Sequence, residues 1–118
     1  MKLNIFYVDD EQDLCDIFEE LNQSDRLNIK TYVDPVAAVA DALKDPPDLV
    51  FMDYRLPGMT GDKVAVAMKT NAPVYLISGD LNVKTDFNFT RIIGKPVDNS
   101  EIKKIISELL EIKKGRSE

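Results

Sequence analysis

Asp9, Asp10 and Glu11 stand together near the start of the chain. Asp53 precedes a Pro-Gly loop, and Ser78-Gly79 and Lys95-Pro96 follow later. Brought together, these residue types suit one chemistry. A carboxylate can attack phosphorus and become an acyl phosphate. A transferring phosphoryl group needs positive charge and hydrogen-bond donors around its oxygens. Lys95 supplies the charge and Ser78 a hydroxyl. Gly79 leaves room and offers its N–H. Three carboxylates within reach of one another repel by roughly 4 kcal/mol per pair at 4 Å for an effective dielectric near 20. Such a cluster calls for a cation or for retained protons. An all-oxygen set with open positions favours Mg²⁺. The set is complete for phosphoryl transfer to an aspartate.

Each group also has a plainer reading. The acids at Asp9 to Glu11 would favour the dipole of a following helix. Asp53 reads equally as a turn residue before Pro57-Gly58. Ser78-Gly79 is commonly a turn, and Lys95-Pro96 commonly a solvated loop. What weighs against four separate coincidences is where the elements place them.

Leu3 to Val8 is a nearly continuous apolar run and reads as a buried strand. Leu14, Ile17, Phe18 and Leu21 then fall on one helical face. Ile29 to Val33 reads as a second strand. Asp34-Pro35 starts a helix, with an N-cap and Pro at the first position. Val36, Val39, Ala40 and Leu43 continue it to Pro46-Pro47. Leu49 to Met52 is a third strand, and Leu56 to Gly61 is a turn-rich loop. Val64, Ala65, Ala67 and Met68 suit a third helix. Pro73 to Ile77 and Phe89 to Ile93 read as the fourth and fifth strands. Asp98-x-x-Glu101 resembles a capping box. Ile102, Ile105, Ile106, Leu109 and Leu110 form the last helical stripe. Domain 1–113 is therefore expected to be a doubly wound α/β fold with a five-stranded parallel sheet. Residues 114–118 are expected to be a polar, frayed tail. In such folds the ligand site lies at the carboxyl ends of the strands. Asp9-Asp10, Asp53, Ser78 and Lys95 all fall there.

The bulk numbers set limits on function. The chain's 118 residues fit one domain, with 44% hydrophobic and 31% charged residues. No apolar run approaches the roughly 20 residues of a membrane span, and the N-terminus lacks signal-peptide character. The single cysteine points to a reducing, cytoplasmic setting. A net charge of −6 argues against direct nucleic-acid contact. With no histidine, His-based triads, His zinc sites and phosphohistidine carriers are excluded.

Val8-Asp9-Asp10-Glu11, Asp53-Tyr54-Arg55-Leu56-Pro57-Gly58-Met59-Thr60-Gly61, Ser78-Gly79 and Lys95-Pro96 together resemble the receiver domain of two-component response regulators. Their order and separation match, and the resemblance spans essentially the whole chain. It implies a stand-alone, flavodoxin-like (βα)5 receiver fold. It also implies that Asp10 binds Mg²⁺ directly and that Asp9 helps through water. Asp53 would be phosphoacceptor and metal ligand, and the backbone carbonyl of Arg55 would complete the metal set. Ser78 would bond the phosphoryl group and move with it. Lys95 would pair with the group, across a cis Lys95–Pro96 bond. The donor would be a phosphohistidine on a sensor histidine kinase or a phosphotransfer protein. Such a chain would be no enzyme beyond the narrow sense of catalysing phosphoryl transfer to and from its own Asp53.

Two departures from the family pattern touch the output side. The stretch from Ser78 to Lys95 is several residues short, so the fourth helix, around Leu81 to Asn88, is expected to be shortened or absent. Three residues before the lysine the family places an aromatic switch; here stands Ile92, with Phe87 or Phe89 as possible substitutes. Arg55 and Asp80 flank the site, either paired across its mouth or separately solvated. With no output domain expected in the chain, output is expected through contact with an unidentified downstream protein. A phosphorylation-independent interaction module on the same fold is the alternative. An aspartyl-nucleophile phosphatase would need an acid where Arg55 stands. A flavin carrier would not place acids in the first loop.

Overall fold

The computed structural model describes residues 2–116. Its main sheet has five parallel strands in the order β2-β1-β3-β6-β7. They are β1 (Leu3–Val8), β2 (Leu27–Tyr32), β3 (Leu49–Asp53), β6 (Val74–Ser78) and β7 (Arg91–Gly94). A small antiparallel hairpin, β4 (Arg55–Leu56) and β5 (Met59–Thr60), follows β3. Four helices complete the fold: α1 (Gln12–Asn22), α2 (Pro35–Lys44), α3 (Gly61–Met68) and α4 (Asn99–Arg116). The expected doubly wound sheet is present. The order of the strands reverses between β1 and β3, which puts a crevice beyond their carboxyl ends.

Alternation along the strands divides the core into two layers. Ile5, Tyr7, Phe51, Ile77 and Ile93 face a layer closed by Cys15 and Phe18 of α1 and by Ile102, Ile105 and Ile106 of α4. Phe6, Val8, Val50, Met52 and Leu76 face the other layer, closed by Ala38 and Ala42 of α2 and by Val64, Ala65 and Met68 of α3. Every residue of β1 and β3 is buried, which is why both read as continuous apolar runs.

As expected, the described residues hold no full helix between β6 and β7. Between β6 and β7 the chain runs as an irregular strap. Val83, Thr85, Phe87 and Phe89 of the strap are half-buried, while Asn82, Lys84, Asp86, Asn88 and Thr90 face solvent. Val83, Phe87 and Phe89 pack on the α2–α3 layer, and the two Phe rings meet at 4.7 Å. An extended segment turns alternate side chains to one face. It thus covers the sheet with fewer residues than a helix needs.

Two helices are rotated from the expected faces. α1 buries Cys15, Phe18 and Asn22, leaving Ile17 and Leu21 each 49% exposed. α2 buries Pro35, Ala38 and Ala42 and leaves Val36 and Leu43 exposed. Small alanines let α2 lie close to the sheet, where the larger Val36 and Leu43 do not fit. The Asp34 cap forms as expected, its carboxylate accepting from the Val36 N–H at 2.9 Å. The capping box at α4 is half formed. Asp98 accepts from the Ser100 N–H, but Glu101 pairs with Arg91. The tail expected from residue 114 is helical as far as Arg116; Ser117 and Glu118 lie outside the described residues. Lys113 ties the last turns of α4 to Asp48, with 3.0 Å between charges.

Candidate functional site

The crevice is built by the ends of four strands. Asp9 follows β1, Asp53 ends β3, Ser78 ends β6 and Lys95 follows β7. Parallel register sets them side by side: Asp53 is level with Ile77, and Ser78 with Gly94. The Lys95 N–H donates to the Ser78 carbonyl at 3.1 Å. Asp9, Asp10 and Asp53 each offer an oxygen, and these atoms all lie within 4.8 Å of one another. Asp9 and Asp53 are buried, at 1% and 3% exposure, while Asp10 is open to solvent.

Lys95 Nζ lies 2.8 Å from Asp53 Oδ1. That oxygen takes part in no hydrogen bond of regular geometry, so the contact is an ion pair. Burial pushes the Asp53 carboxyl above its ordinary value. The Lys95 bond opposes that rise, and the charges of Asp9 and Asp10 add to it. Burial works against the Lys95 ammonium, but its bond to Asp53 and the nearby acids outweigh burial and raise it. Two buried carboxylates facing one half-exposed ammonium leave the crevice short of positive charge. All-oxygen donors at this spacing fit a hard divalent cation such as Mg²⁺.

Ser78 is buried, and its Oγ accepts from the Asp80 N–H at 3.0 Å. Asp80 in turn caps the Asn82 N–H. Thus the first turn of the strap hangs on the serine hydroxyl. Among the described residues no ion pair joins Arg55 to Asp80. Arg55 lies in the β4–β5 hairpin opposite Thr60, with its side chain exposed. Ile92 sits in β7 level with Leu76, and Phe87 and Phe89 belong to the strap before it. The Lys95–Pro96 bond is cis.

Sequence reasoning missed two residues of the site. Gly61 donates its N–H to the Tyr54 carbonyl at 2.7 Å, and a Cβ there would collide with the Asp53 carbonyl. Tyr7 donates its hydroxyl to Asp9 Oδ2 at 3.1 Å. It precedes Asp9 by two positions and so shares its strand face, a signal that the alternation already contained. Beside the site lies an apolar groove of about 280 Å³, lined among others by Leu14, Ile17, Leu21, Pro96 and Val97.

A parallel sheet with acids at its switch point and a lysine after the edge strand β7 defines a signal-receiver domain. The chain belongs to the response regulator receiver domain family, which it matches over residues 5–107. It is 29% identical over 90% of its length to a protein of Haloferax volcanii named as a transcriptional regulator. It is 27% identical over 98% of its length to one of Arabidopsis thaliana named as a two-component response regulator. The chain spans about a fifth of the length of each, 19% and 20% respectively. Among solved structures, a signal receiver domain of an HD domain-containing protein from Pseudomonas fluorescens matches with a TM-score of 0.82. The match has 19% identity and covers 98% of this chain and 92% of that one. The CheY-like receiver domain of Methylobacillus flagellatus matches with a TM-score of 0.77 and 19% identity, over 92% of this chain and 99% of that one. These structures share the fold. No helix among the described residues is long and apolar enough to cross a membrane.

Proposed function

We propose that the chain is a magnesium-dependent switch that accepts a phosphoryl group on Asp53. The donor is a phosphohistidine on a sensor histidine kinase or a phosphotransfer protein. The observation that carries this reading is the convergence of Asp9, Asp10 and Asp53 within 4.8 Å beside the Lys95 ammonium. An Asp53 oxygen forms the new bond to phosphorus as the donor's N–P bond breaks, and the imidazole leaves with the electron pair. Lys95 exchanges part of its pairing with Asp53 for the phosphoryl oxygens. Ser78 donates its hydroxyl proton to the same group. Asp10, Asp53 and the Arg55 carbonyl would hold Mg²⁺, with Asp9 acting through water. When bound, the cation supplies the positive charge that the crevice lacks. The groove beside the site offers apolar side chains of a donor a seat next to Asp9 and Lys95.

Output passes by protein contact to a downstream partner in the cytoplasm; neither nucleic acid nor membrane takes part directly. The strap and Ile92 favour a second reading, an interaction module that works without phosphorylation. Intact mass after incubation with acetyl phosphate and Mg²⁺ separates the two. The switch predicts a gain of one phosphoryl group that is lost without Mg²⁺ and in Asp53→Asn. An unchanged mass, with no binding of Mg²⁺ or beryllofluoride, would leave the interaction module.

A further inference from the structure

We propose that Tyr7 is a positioning residue: its hydroxyl fixes the Asp9 carboxylate in the orientation the cation site requires. This rests on the magnesium-dependent reading above. Tyr7 Oη and Asp9 Oδ2 are 3.1 Å apart, and both residues are buried, at 6% and 1% exposure. An ionised carboxylate carries no proton, so the phenol is the donor. A phenol keeps its proton near neutral pH. The ring cannot swing away. It stacks on Phe18 with centroids 4.2 Å apart and planes 15° from parallel.

The other oxygen of Asp9 is held too. Oδ1 accepts from the Glu11 N–H at 3.0 Å. The main chain of Asp9 is fastened on both sides, its N–H to the Tyr32 carbonyl and its carbonyl to the Cys15 thiol. With both oxygens gripped from different directions, the carboxyl plane is set before any cation arrives. Each oxygen keeps a lone pair for a metal-bound water. Asp10 is exposed and has no such clamp among the described residues. The two acids thus divide the work: Asp9 is preset, and Asp10 is free to move onto the ion. Hydrogen bonds behind a ligand raise its metal affinity in just this way, and losing one commonly weakens binding 10- to 100-fold.

Tyr7→Phe removes the hydroxyl and keeps the ring on Phe18. Calorimetric titration of the full chain with Mg²⁺ should show affinity about tenfold weaker than wild type. Saturating Mg²⁺ should restore labelling by acetyl phosphate. In an Asp9→Ala background, which leaves no acceptor for the hydroxyl, the same change should add no further weakening, because the hydroxyl acts through Asp9. Equal affinity in wild type and Tyr7→Phe overturns the proposal. So does an equal loss in the Asp9→Ala background, or a Tyr7→Phe chain that does not unfold cooperatively in EDTA, since each assigns the hydroxyl a merely structural role. A wild type that binds no Mg²⁺ overturns the magnesium-dependent reading itself, and this inference with it.

Discussion

Asp53→Asn removes one negative charge from a crevice where acids outnumber the single Lys95 ammonium, and the chain without Mg²⁺ should become more stable for it. The oxygens of Asp9 and Asp53 lie within 4.8 Å of each other, and both residues are buried. At that separation their repulsion is about 3.5 kcal/mol for an effective dielectric near 20. The substitution also loses the pair with Lys95. That ammonium is 38% exposed, so the pair is screened and contributes about 1 kcal/mol at most. The balance is a gain of about 2.5 kcal/mol, which for a domain of this size raises Tm by about 10 °C. Thermal unfolding in EDTA, followed by circular dichroism, measures it.

The pH dependence carries the same sign. Burial raises the Asp53 carboxyl above its unfolded value. Its contribution to stability is therefore fully present below the unfolded value, near pH 4, and is lost as pH rises through the folded one. The advantage of Asp53→Asn should grow from acid toward neutral pH. Mg²⁺ at tenfold its Kd adds about 1.4 kcal/mol to the wild type. It adds less to the variant, so the gap narrows. A variant less stable than wild type in EDTA would refute the reasoning: the Lys95 pair would then outweigh the acid–acid repulsion.

Three further outcomes are expected. Lys95→Ala should slow acetyl-phosphate labelling of Asp53 about 100-fold, read by intact mass, because a preset donor to the phosphoryl oxygens is gone; Mg²⁺ binding should survive. Gly61→Ala should lower stability by about 2 kcal/mol in urea unfolding, since its Cβ meets the rigid Asp53 carbonyl rather than a flexible side chain. Beryllofluoride, by drawing the Ser78 hydroxyl away from the Asp80 N–H, should change hydrogen exchange at the strap amides from Asp80 to Phe89 more than in α1.

The central strands β1, β3 and β6 were legible because burial leaves almost no polar residue inside them. The four groups of the site were legible because the carboxyl ends of parallel strands must converge. The helix faces were less so. Leu14, Ile17 and Leu21 look like a core stripe by type and spacing, yet they border the groove beside the site, while Cys15 and Asn22 turn inward. Apolar character alone does not separate a core face from a face beside an open site. On α2 the alanines won because packing distance, rather than hydrophobicity, limited that face. The gap in the family pattern showed that a helix was missing but not what replaced it. The alternation of Val83, Thr85, Phe87 and Phe89 was there to be read, but it is broken by no turn signal and spans a region where a helix was the reference.

The strap changes how a signal could leave the site. A helix is a rigid body whose internal hydrogen bonds hold it whether or not the sheet beneath it shifts. The strap has few such bonds. It is held by alternate side chains on the α2–α3 layer, by the Ser78–Asp80 bond at one end and by Thr85 on Asp62. Burial works to raise the Asp62 carboxyl, but hydrogen bonds from Thr60 and Thr85 outweigh it and keep it ionised below its ordinary value. Thr60 and Asp62 belong to the segment that folds Gly61 against Asp53. The anchors of the strap therefore start from two elements, one from β6 and one from the first turn of α3. A shift at Ser78 would reach the strap through the Ser78–Asp80 hydrogen bond, with no aromatic rotation needed. Ile92, which cannot make that rotation, is then no obstacle to a switch on this fold.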